Sequence, residues 1–299
     1  MKHEDIYKRL IFQNVAYGVD ENQKIGIIIP QKENVHAIVY IHGGAYLAGD
    51  KSQYPSFLLD YSKCNICATI NYRLLNTDNN VQMTDILSDV NDALEKIIEL
   101  SDENNVNIQD FILVGHSAGG HIGLLYGYEY FQKNEKINIV ACISLAGPTD
   151  FTDDFGWSSM KIWNKEINGG LSFFSQIGTK LTGHTIELTQ NNWTKQTDYC
   201  TFEKYIVDIS PIMYVKHKTG NVPPTLLIYA RSDDQVPYSN AVRLIRALDH
   251  TSVPHKLITP TGRENNHMLG GEIIANNMPI TFKEQIWVIQ AKKWIEKYL

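Results

Sequence analysis

The stretch FILVGHSAGGHIGLLYGY, residues 111–128, decides the fold of this chain. It begins as an apolar run, which predicts a buried strand, and it continues into a segment typical of a helix. Between the two, Gly115 and Gly119 flank Ser117 in the pattern G-x-S-x-G. Because glycine leaves room for a tight turn, this pattern predicts an elbow between strand and helix that exposes the hydroxyl of Ser117.

Similar apolar runs alternate with helical segments along most of the chain. The predicted strands are residues 24–30, 36–41, 66–72, 110–115, 138–146, 225–230 and 255–260, and the predicted helices lie near 53–62, 84–100, 117–131, 237–249 and 280–298. Several of the strands are apolar almost throughout, as expected for strands that are covered on both faces. The alternation predicts an α/β fold with a mostly parallel central sheet flanked by helices.

One stretch, residues 151–210, breaks this alternation. It has no clear strand but is rich in aromatic residues: Phe151, Phe155, Trp157, Trp163, Phe173, Phe174, Trp193, Tyr199, Phe202 and Tyr205. Since long structureless loops are unusual in compact domains, we expect helices that cap the sheet. The aromatic side chains either only pack within this cap or also line a substrate pocket. The chain is thus expected to be a single domain, 1–299, with a cap insertion at about 151–210.

Composition narrows the classes of partner. The net charge is −6, the pI is near 5.9, and lysine and arginine form no dense cluster, so nucleic acid is not an expected partner. The first 18 residues carry acidic side chains and lack the apolar core of a signal peptide, and no run approaches the ~18 apolar residues of a membrane span. We therefore expect a cytoplasmic protein that does not bind membranes. Assembly into a homo-oligomer is compatible with the sequence.

Cys64 and Cys67 form a C-x-x-C pattern, which raises the question of metal or redox chemistry. A structural zinc site needs about four ligands, and no second pair of cysteines or histidines has a matching spacing. The pair leads directly into a predicted strand. One or both thiols are therefore expected to pack in the core, and no metal site is predicted.

The elbow supplies a candidate nucleophile, Ser117, which needs a base and a group that orients the base. Asp233 and Asp234 follow the predicted strand 225–230, and position alone leaves the choice between them open. His267 is the histidine in the loop that follows the last predicted strand. Loops at the C-terminal ends of parallel strands meet at one edge of the sheet, so these side chains are expected to converge.

A developing oxyanion needs backbone N–H donors, and the chain offers two sources of them. The predicted helix that follows the elbow presents free N–H groups and the positive end of its dipole at its N-terminus. The stretch YIHGGAYLAGD places His42, Gly43 and Gly44 directly after a predicted strand. The two glycines allow the backbone to approach a ligand closely. His42 is expected to organise this loop by hydrogen bonding.

Taken together, HGGAYLAGDK, NYRL, GHSAGGH, DISPIMYV, SDDQVP and NNH resemble the α/β-hydrolase superfamily. The similarity is to the HGG-loop esterase/lipase group of bacterial carboxylesterases, acetyl-xylan-type esterases and kynurenine formamidase, and it runs from about residue 15 to the C-terminus. The resemblance implies the nucleophile Ser117, the acid Asp233 and the base His267. The family pattern D-x-x-V-P ends here at Pro237 and therefore begins at Asp233, which favours Asp233 over Asp234 as the acid. The resemblance also implies an oxyanion hole formed by Gly43, Gly44, Ala45 and Ala118, in which the backbone N–H groups of the last three are the donors.

The expected activity is that of a serine carboxylesterase acting on a small, short-chain, acetyl-type ester through an acyl-enzyme, with no metal or organic cofactor. An arylformamidase is the alternative, although Ala45 and Tyr46 replace the aromatic pair that is typical of formamidases in this group. Ala45 and His116 likewise depart from the HGGG and G-D-S-A-G patterns of the hormone-sensitive-lipase branch. A binding protein without catalytic activity on the same scaffold is the third interpretation.

Overall fold

The computed structural model describes residues 9–76, 79–130, 134–152, 167–187, 204–217, 222–272, 278–282 and 285–299. Within them, eight strands form one sheet in the order β1-β2-β4-β3-β5-β6-β7-β8. The strands are β1 Arg9–Ala16, β2 Lys24–Pro30, β3 Asn34–Ile41, β4 Ile66–Ile70, β5 Asn107–His116, β6 Ile139–Leu145, β7 Thr225–Ile228 and β8 His255–Ile258. Strand β2 pairs antiparallel with β1 and β4, and all other pairings are parallel.

The described helices lie on both faces of this sheet. They are α1 Met83–Glu103, α2 Ala118–Leu125, α3 Ile167–Thr182, α4 Pro211–His217, α5 Tyr238–Leu248 and α6 Ile286–Ile295. A 3₁₀ helix spans Ser56–Lys63, a short π-helix at Tyr126–Tyr130 continues α2, and a second 3₁₀ turn spans Gly262–Glu264. No helix in the described ranges is long and apolar enough to cross a membrane.

Strand residues alternate between two hydrophobic cores, one on each face of the sheet. Val39 and Leu113 point to the face covered by α1, where Val90 and Leu94 are fully buried. Their neighbours on the same strands point to the opposite face, where they pack with Trp287 and other residues of α6. Strands that are covered in this way on both sides have to be apolar along their whole length. This explains the continuous apolar runs in the sequence.

The seven predicted strands and the α/β architecture are confirmed. Three of the predicted helices differ in kind or length: the one near 53–62 is the 3₁₀ helix, the one at 117–131 ends as a π-helix, and the described part of the last one is Ile286–Ile295. Strand β1 was not predicted. Its side chains are half-buried or exposed, because it lies at the edge of the sheet and pairs only with β2.

The aromatic insertion is described only in part. Helix α3 lies within it, as the prediction of capping helices requires, and α4 follows directly after it. Of the ten aromatic side chains in the insertion, those of Phe151 and Tyr205 belong to the described residues and the other eight lie outside them. The single domain with a cap insertion therefore stays a prediction, as does any contact between these aromatic residues and a substrate.

Candidate active site

Ser117 lies in a sharp turn between β5 and α2. Its backbone has φ 52° and ψ −123°, a conformation that residues other than glycine adopt only at a cost in free energy. A Cβ atom at Gly119 would lie 2.0 Å from the carbonyl oxygen of Ile41, and one at Gly115 would lie 2.1 Å from that of Gly119. The strand and the helix can therefore approach each other this closely only with glycine at both positions. The turn is the elbow that the G-x-S-x-G pattern predicts.

The hydroxyl of this serine begins a chain of hydrogen bonds through three side chains. Ser117 Oγ donates to Nε2 of His267 at 3.0 Å. Nδ1–H of His267 donates to Asp233, with distances of 2.9 Å to Oδ2 and 3.1 Å to Oδ1. The Asp233 side chain is completely shielded from solvent and that of His267 is 6% exposed. Three loops that are far apart in sequence thus meet at the C-terminal edge of the sheet.

The turn after β7 determines which aspartate meets the histidine. Asp233 Oδ1 accepts hydrogen bonds from the backbone N–H groups of Gln235 and Val236, at 2.8 and 2.9 Å. This turn holds the carboxylate beneath His267, and no hydrogen bond joins Asp234 to His267 in the described part of the chain. The choice between the two aspartates, which position in the sequence leaves open, is made by the local backbone.

Asn265 joins the loop of the aspartate to the loop of the histidine. Its Oδ1 accepts a hydrogen bond from the backbone N–H of Ser232 at 3.0 Å, and its Nδ2 donates to Ser232 Oγ at 2.7 Å. The two loops are thereby tied one residue before Asp233 and two residues before His267. In the sequence Asn265 is part of the NNH motif, which assigns it no role of its own.

His116, the residue before the serine, was also assigned no role from the sequence. Its Nε2–H donates to the backbone carbonyl of His267 at 3.0 Å, and the two imidazole rings lie 5.1 Å apart. Burial, and then the nearby His267, lower the pKa of His116 to about 4. His116 is therefore neutral near pH 7 and ties the strand end to the histidine loop. The two residues are 151 positions apart, which hides the contact from sequence patterns.

The predicted oxyanion loop follows β3 and packs against the elbow. A Cβ atom at Gly43 would lie 2.8 Å from the carbonyl oxygen of His116 and 3.1 Å from Cβ of Ser117. The next three residues have positive φ angles: 113° at Gly44, 53° at Ala45 and 65° at Tyr46. In the described part of the chain, the N–H groups of Gly44 and Ala45 donate no backbone hydrogen bond.

The N-terminus of α2 adds a third available donor. Ala118 is the first residue of the helix, so its N–H has no acceptor within the helix. The helix dipole places partial positive charge at the same point. The loop and the helix terminus flank Ser117, and N–H groups of this kind can bind an anionic oxygen. That Gly43, Gly44, Ala45 and Ala118 form an oxyanion hole remains a prediction that this geometry permits.

His42 organises the loop, as the sequence predicts. Its Nδ1–H donates to the carbonyl oxygen of Gly43 at 2.7 Å, and its ring stacks on Tyr72 with centroids 4.5 Å apart. The hydroxyl of Tyr72 in turn donates to the carbonyl oxygen of His42. Burial lowers the pKa of His42 to about 4, so this residue is neutral near pH 7. Its contacts shape the loop and do not reach Ser117.

One thiol of the C-x-x-C pair packs in the core, as the sequence predicts for one or both of them. Cys67 is buried, its thiol donates to the carbonyl oxygen of Leu58, and burial raises the pKa of this thiol to about 12. Cys64 is exposed. Among the described residues, no group of three or more His, Cys, Asp or Glu side chains could hold a metal ion.

Comparison with solved structures identifies the fold. Esterase B from Lactobacillus rhamnosis has 15% sequence identity and a TM-score of 0.66, with 97% of this chain and 84% of that chain covered. A truncated carbohydrate esterase from gut microbiota has 19% identity and a TM-score of 0.64, with 88% and 90% covered. The thermophilic esterase Est2 from Thermogutta terrifontis has 15% identity and a TM-score of 0.62, with 97% and 91% covered. At these identities the likeness concerns the fold alone.

Comparison of sequences identifies the family. No curated protein gives a significant match. The BD-FAE family matches residues 25–248, which is more than half of the chain and includes the predicted oxyanion loop, the elbow and Asp233. His267 lies beyond the matched range, but the structure brings it to the same site. The chain therefore belongs to the BD-FAE family and has the α/β-hydrolase fold.

Proposed function

We propose that this protein is a serine carboxylesterase that hydrolyses small, short-chain esters through an acyl-enzyme intermediate. The observation that carries the proposal is the hydrogen-bonded chain Ser117–His267–Asp233, with distances of 3.0 and 2.9 Å between successive side chains. Serine, histidine and aspartate linked in this order form the proton-handling unit of hydrolases on several unrelated folds. Membership of the BD-FAE family and the fold shared with bacterial esterases support the same activity.

The acylation step follows from the position of each group. Nε2 of His267 accepts the proton of Ser117 Oγ while the oxygen attacks the acyl carbon, and the resulting imidazolium is stabilised by Asp233. The carbonyl oxygen becomes an oxyanion, for which the N–H groups of Gly44, Ala45 and Ala118 are the proposed donors. The C–O bond to the alcohol then breaks, and the alcohol leaves with the proton held by His267.

Deacylation repeats this sequence with water in place of the serine. His267 takes one proton from water, the remaining hydroxide attacks the acyl carbon, and Ser117 regains its proton as the carboxylic acid leaves. The net reaction consumes one ester and one water and yields an acid and an alcohol. All acid–base groups and charge-stabilising donors in this scheme belong to the protein, so no cofactor is invoked.

Two features of similar structures support a short acyl chain in the substrate. The Lactobacillus esterase B has been solved with a C4-C4 tributyrin phosphonate inhibitor, and the Thermogutta Est2 with bound propionate. We therefore propose acetyl-type to butyryl-type esters.

The nucleophile is tested by labelling and substitution. A fluorophosphonate should modify one peptide, the one containing Ser117, as mapped by mass spectrometry. Ser117→Ala should abolish labelling and lower kcat for p-nitrophenyl acetate by at least about 10³-fold, because the oxyanion donors alone cannot replace the nucleophile. Its far-UV circular dichroism should match that of the wild type. Ser101→Ala, which alters a buried serine on α1, is the matched control and should label normally.

The substrate class is tested on the wild-type protein. Among p-nitrophenyl esters, we expect kcat/KM to be higher for the acetate and the butyrate than for the octanoate, which has the longest acyl chain. Ser117-dependent turnover of N-formylkynurenine with a higher kcat/KM than any of these esters would replace the esterase proposal by an arylformamidase. A protein that neither labels nor hydrolyses either class would instead be a binding protein on a hydrolase scaffold.

A further inference from the structure

The oxyanion loop has a backbone that its own sequence does not favour. Ala45 and Tyr46 both have φ in the left-handed region, at 53° and 65°, directly after Gly44 at 113°. Residues with a Cβ atom rarely adopt this conformation, and consecutive ones do so only when surrounding contacts enforce it. The contacts that enforce it also fix where the N–H of Ala45 points. The loop therefore needs an anchor, and the side chain of Tyr46 provides one.

Tyr46 is anchored on the helix that carries the nucleophile. Its hydroxyl donates to Nδ1 of His121 at 2.9 Å, and its ring meets the edge of the imidazole at 5.8 Å between centroids. His121 lies one helical turn after Ser117, and its backbone N–H donates to the carbonyl oxygen of Ser117 at 3.1 Å. The anchor thus spans from the oxyanion loop to the first turn of α2.

A second contact sets the orientation of the imidazole. Nε2–H of His121 donates to the carbonyl oxygen of Ile209 at 2.7 Å. This bond requires the proton on Nε2 and leaves Nδ1 as the acceptor for Tyr46, because a neutral imidazole has one donor and one acceptor. His121 is fully buried, and burial lowers its pKa to about 4, so this tautomer persists near pH 7. The proposed mechanism uses neither Tyr46 nor His121.

We infer that Tyr46 and His121 are positioning residues that hold the backbone N–H of Ala45 where the oxyanion forms. The inference rests on the proposed esterase function and adds two residues to it. Neither side chain touches the reacting atoms. Their hydrogen bond maintains a strained loop whose N–H groups act only when charge develops on the substrate oxygen. A donor of this type stabilises the transition state more than the ground state, so its loss lowers kcat and leaves KM nearly constant.

Tyr46→Phe tests the inference, because it deletes the hydroxyl and keeps the ring. We expect kcat for p-nitrophenyl acetate to fall by about 10- to 100-fold with KM within a factor of about two. A trifluoromethyl ketone forms an anionic adduct with the serine, so its Ki should rise by a similar factor. The control is Tyr128→Phe, which removes another buried tyrosine hydroxyl, bonded to Thr225 Oγ1 at 2.8 Å. That variant should lower Tm comparably and leave kcat and Ki at wild-type values.

A double variant tests whether the two residues act through one bond. His121→Gln and Tyr46→Phe each break the Tyr46–His121 contact, so the double variant should be within about 3-fold of the slower single variant. Losses that multiply would show that they act independently and would overturn the inference. The inference would also be overturned if turnover by the wild type depended on Ser117 and Tyr46→Phe nevertheless kept the wild-type kcat and Ki. A wild-type protein without Ser117-dependent hydrolysis would instead overturn the proposed function, and this inference with it.

Discussion

Two regions of the site are built by different kinds of contact. The elbow side, residues 41–49 and 115–121, brings backbone into close contact with backbone, in addition to the side-chain anchor between Tyr46 and His121. A Cβ atom at Gly119 would lie 2.0 Å from the carbonyl oxygen of Ile41, and one at Gly44 would lie 2.1 Å from that of Ala48. No side-chain rotation can relieve such overlaps, because the atom that each new Cβ would meet belongs to the main chain. The position of Ser117, the proposed nucleophile, is therefore fixed by packing.

The acid–base side, residues 231–237 and 261–271, depends instead on polar side chains. Asp233 is held by two backbone N–H groups, and Asn265 ties its loop to that of the histidine. A Cβ atom at Gly262 would meet nothing within 4 Å, and the nearest atom to one at Gly270 is the amide nitrogen of a glutamine side chain. Gly262 and Gly270 have positive φ, and a Cβ atom at Gly271 would meet side-chain carbons at 2.7 and 2.8 Å. The close contacts on this side are thus made mainly by side chains, and the site depends on the hydrogen-bonding groups that they carry.

The difference separates two ways of damaging the site. On the acid–base side an isosteric substitution should remove the chemistry and spare the fold. On the elbow side a single added methyl group should damage the fold itself. Activity measured beside stability distinguishes the two outcomes.

The largest effect is expected from Asp233→Asn. The amide keeps the size of the carboxylate but cannot accept the Nδ1–H of His267 through both oxygens, and it favours the wrong tautomer of the imidazole. We expect kcat for p-nitrophenyl acetate to fall by about 10⁴-fold, with the urea midpoint nearly unchanged. Asp234→Asn, at the adjacent position, is the matched control and should retain wild-type kcat. Equal losses in both variants would contradict the assignment of the acid.

The sequence contained most of what determines the elbow side and less of what determines the acid–base side. Gly115, Ser117 and Gly119 are adjacent in the chain, so their requirement for a tight turn is visible as a pattern. The choice of Asp233 over Asp234 depends on where the turn after β7 directs its N–H groups, which position alone does not show. It came from the family pattern ending at Pro237.

Contacts between distant segments were not predictable from the sequence. His116 bonds to a carbonyl 151 residues away and His121 to one 88 residues away, and neither pairing leaves a periodic signal. Strand β1 was missed for a related physical reason. At the edge of the sheet its residues need not be apolar, so Arg9–Ala16 lacks the continuous apolar run by which the inner strands were recognised.

A smaller effect, on stability, should come from Gly119→Ala. The new methyl group would overlap the carbonyl oxygens of Ile41 and His42, so β3 and α2 have to separate. We expect the free energy of unfolding to fall by about 3 kcal/mol or more in urea titrations, with loss of activity in parallel. Gly123→Ala, one turn along the same helix, is the control. Its methyl group would meet side chains at 3.7 and 3.8 Å, which is ordinary contact.

Gly123→Ala should therefore be neutral, or stabilising by up to about 1 kcal/mol through helix propensity. If both alanine variants unfolded at the same urea concentration, backbone packing would not be what holds the elbow side. If Gly119→Ala kept the stability of the wild type and lost only activity, the elbow side would behave as expected of the acid–base side. The proposed difference between the two sides would then be contradicted.

The smallest effect of a single substitution is expected on the acid sensitivity that the packing of the elbow side causes. His42, His116 and His121 are buried there, and burial is the main cause that lowers the pKa of each to about 4. In the unfolded chain a histidine titrates near its ordinary pKa of ~6.5, so between about pH 6.5 and 4 the unfolded state binds more protons. The free energy of unfolding should therefore fall as the pH is lowered through this window, with a slope of about one proton for each histidine.

Carboxylates titrate in part of the same window, so the test compares variants at equal pH. His121→Gln should reduce the slope of unfolding free energy against pH, measured from pH 6 to 5, by about one proton. His250→Gln, which alters an exposed histidine, should leave that slope unchanged. A slope in His121→Gln equal to that of the wild type would mean that this histidine is protonated in the folded protein. In that case Nδ1 of His121 could not accept the hydroxyl of Tyr46 in this pH range, and the proposed anchor of the oxyanion loop would be lost there.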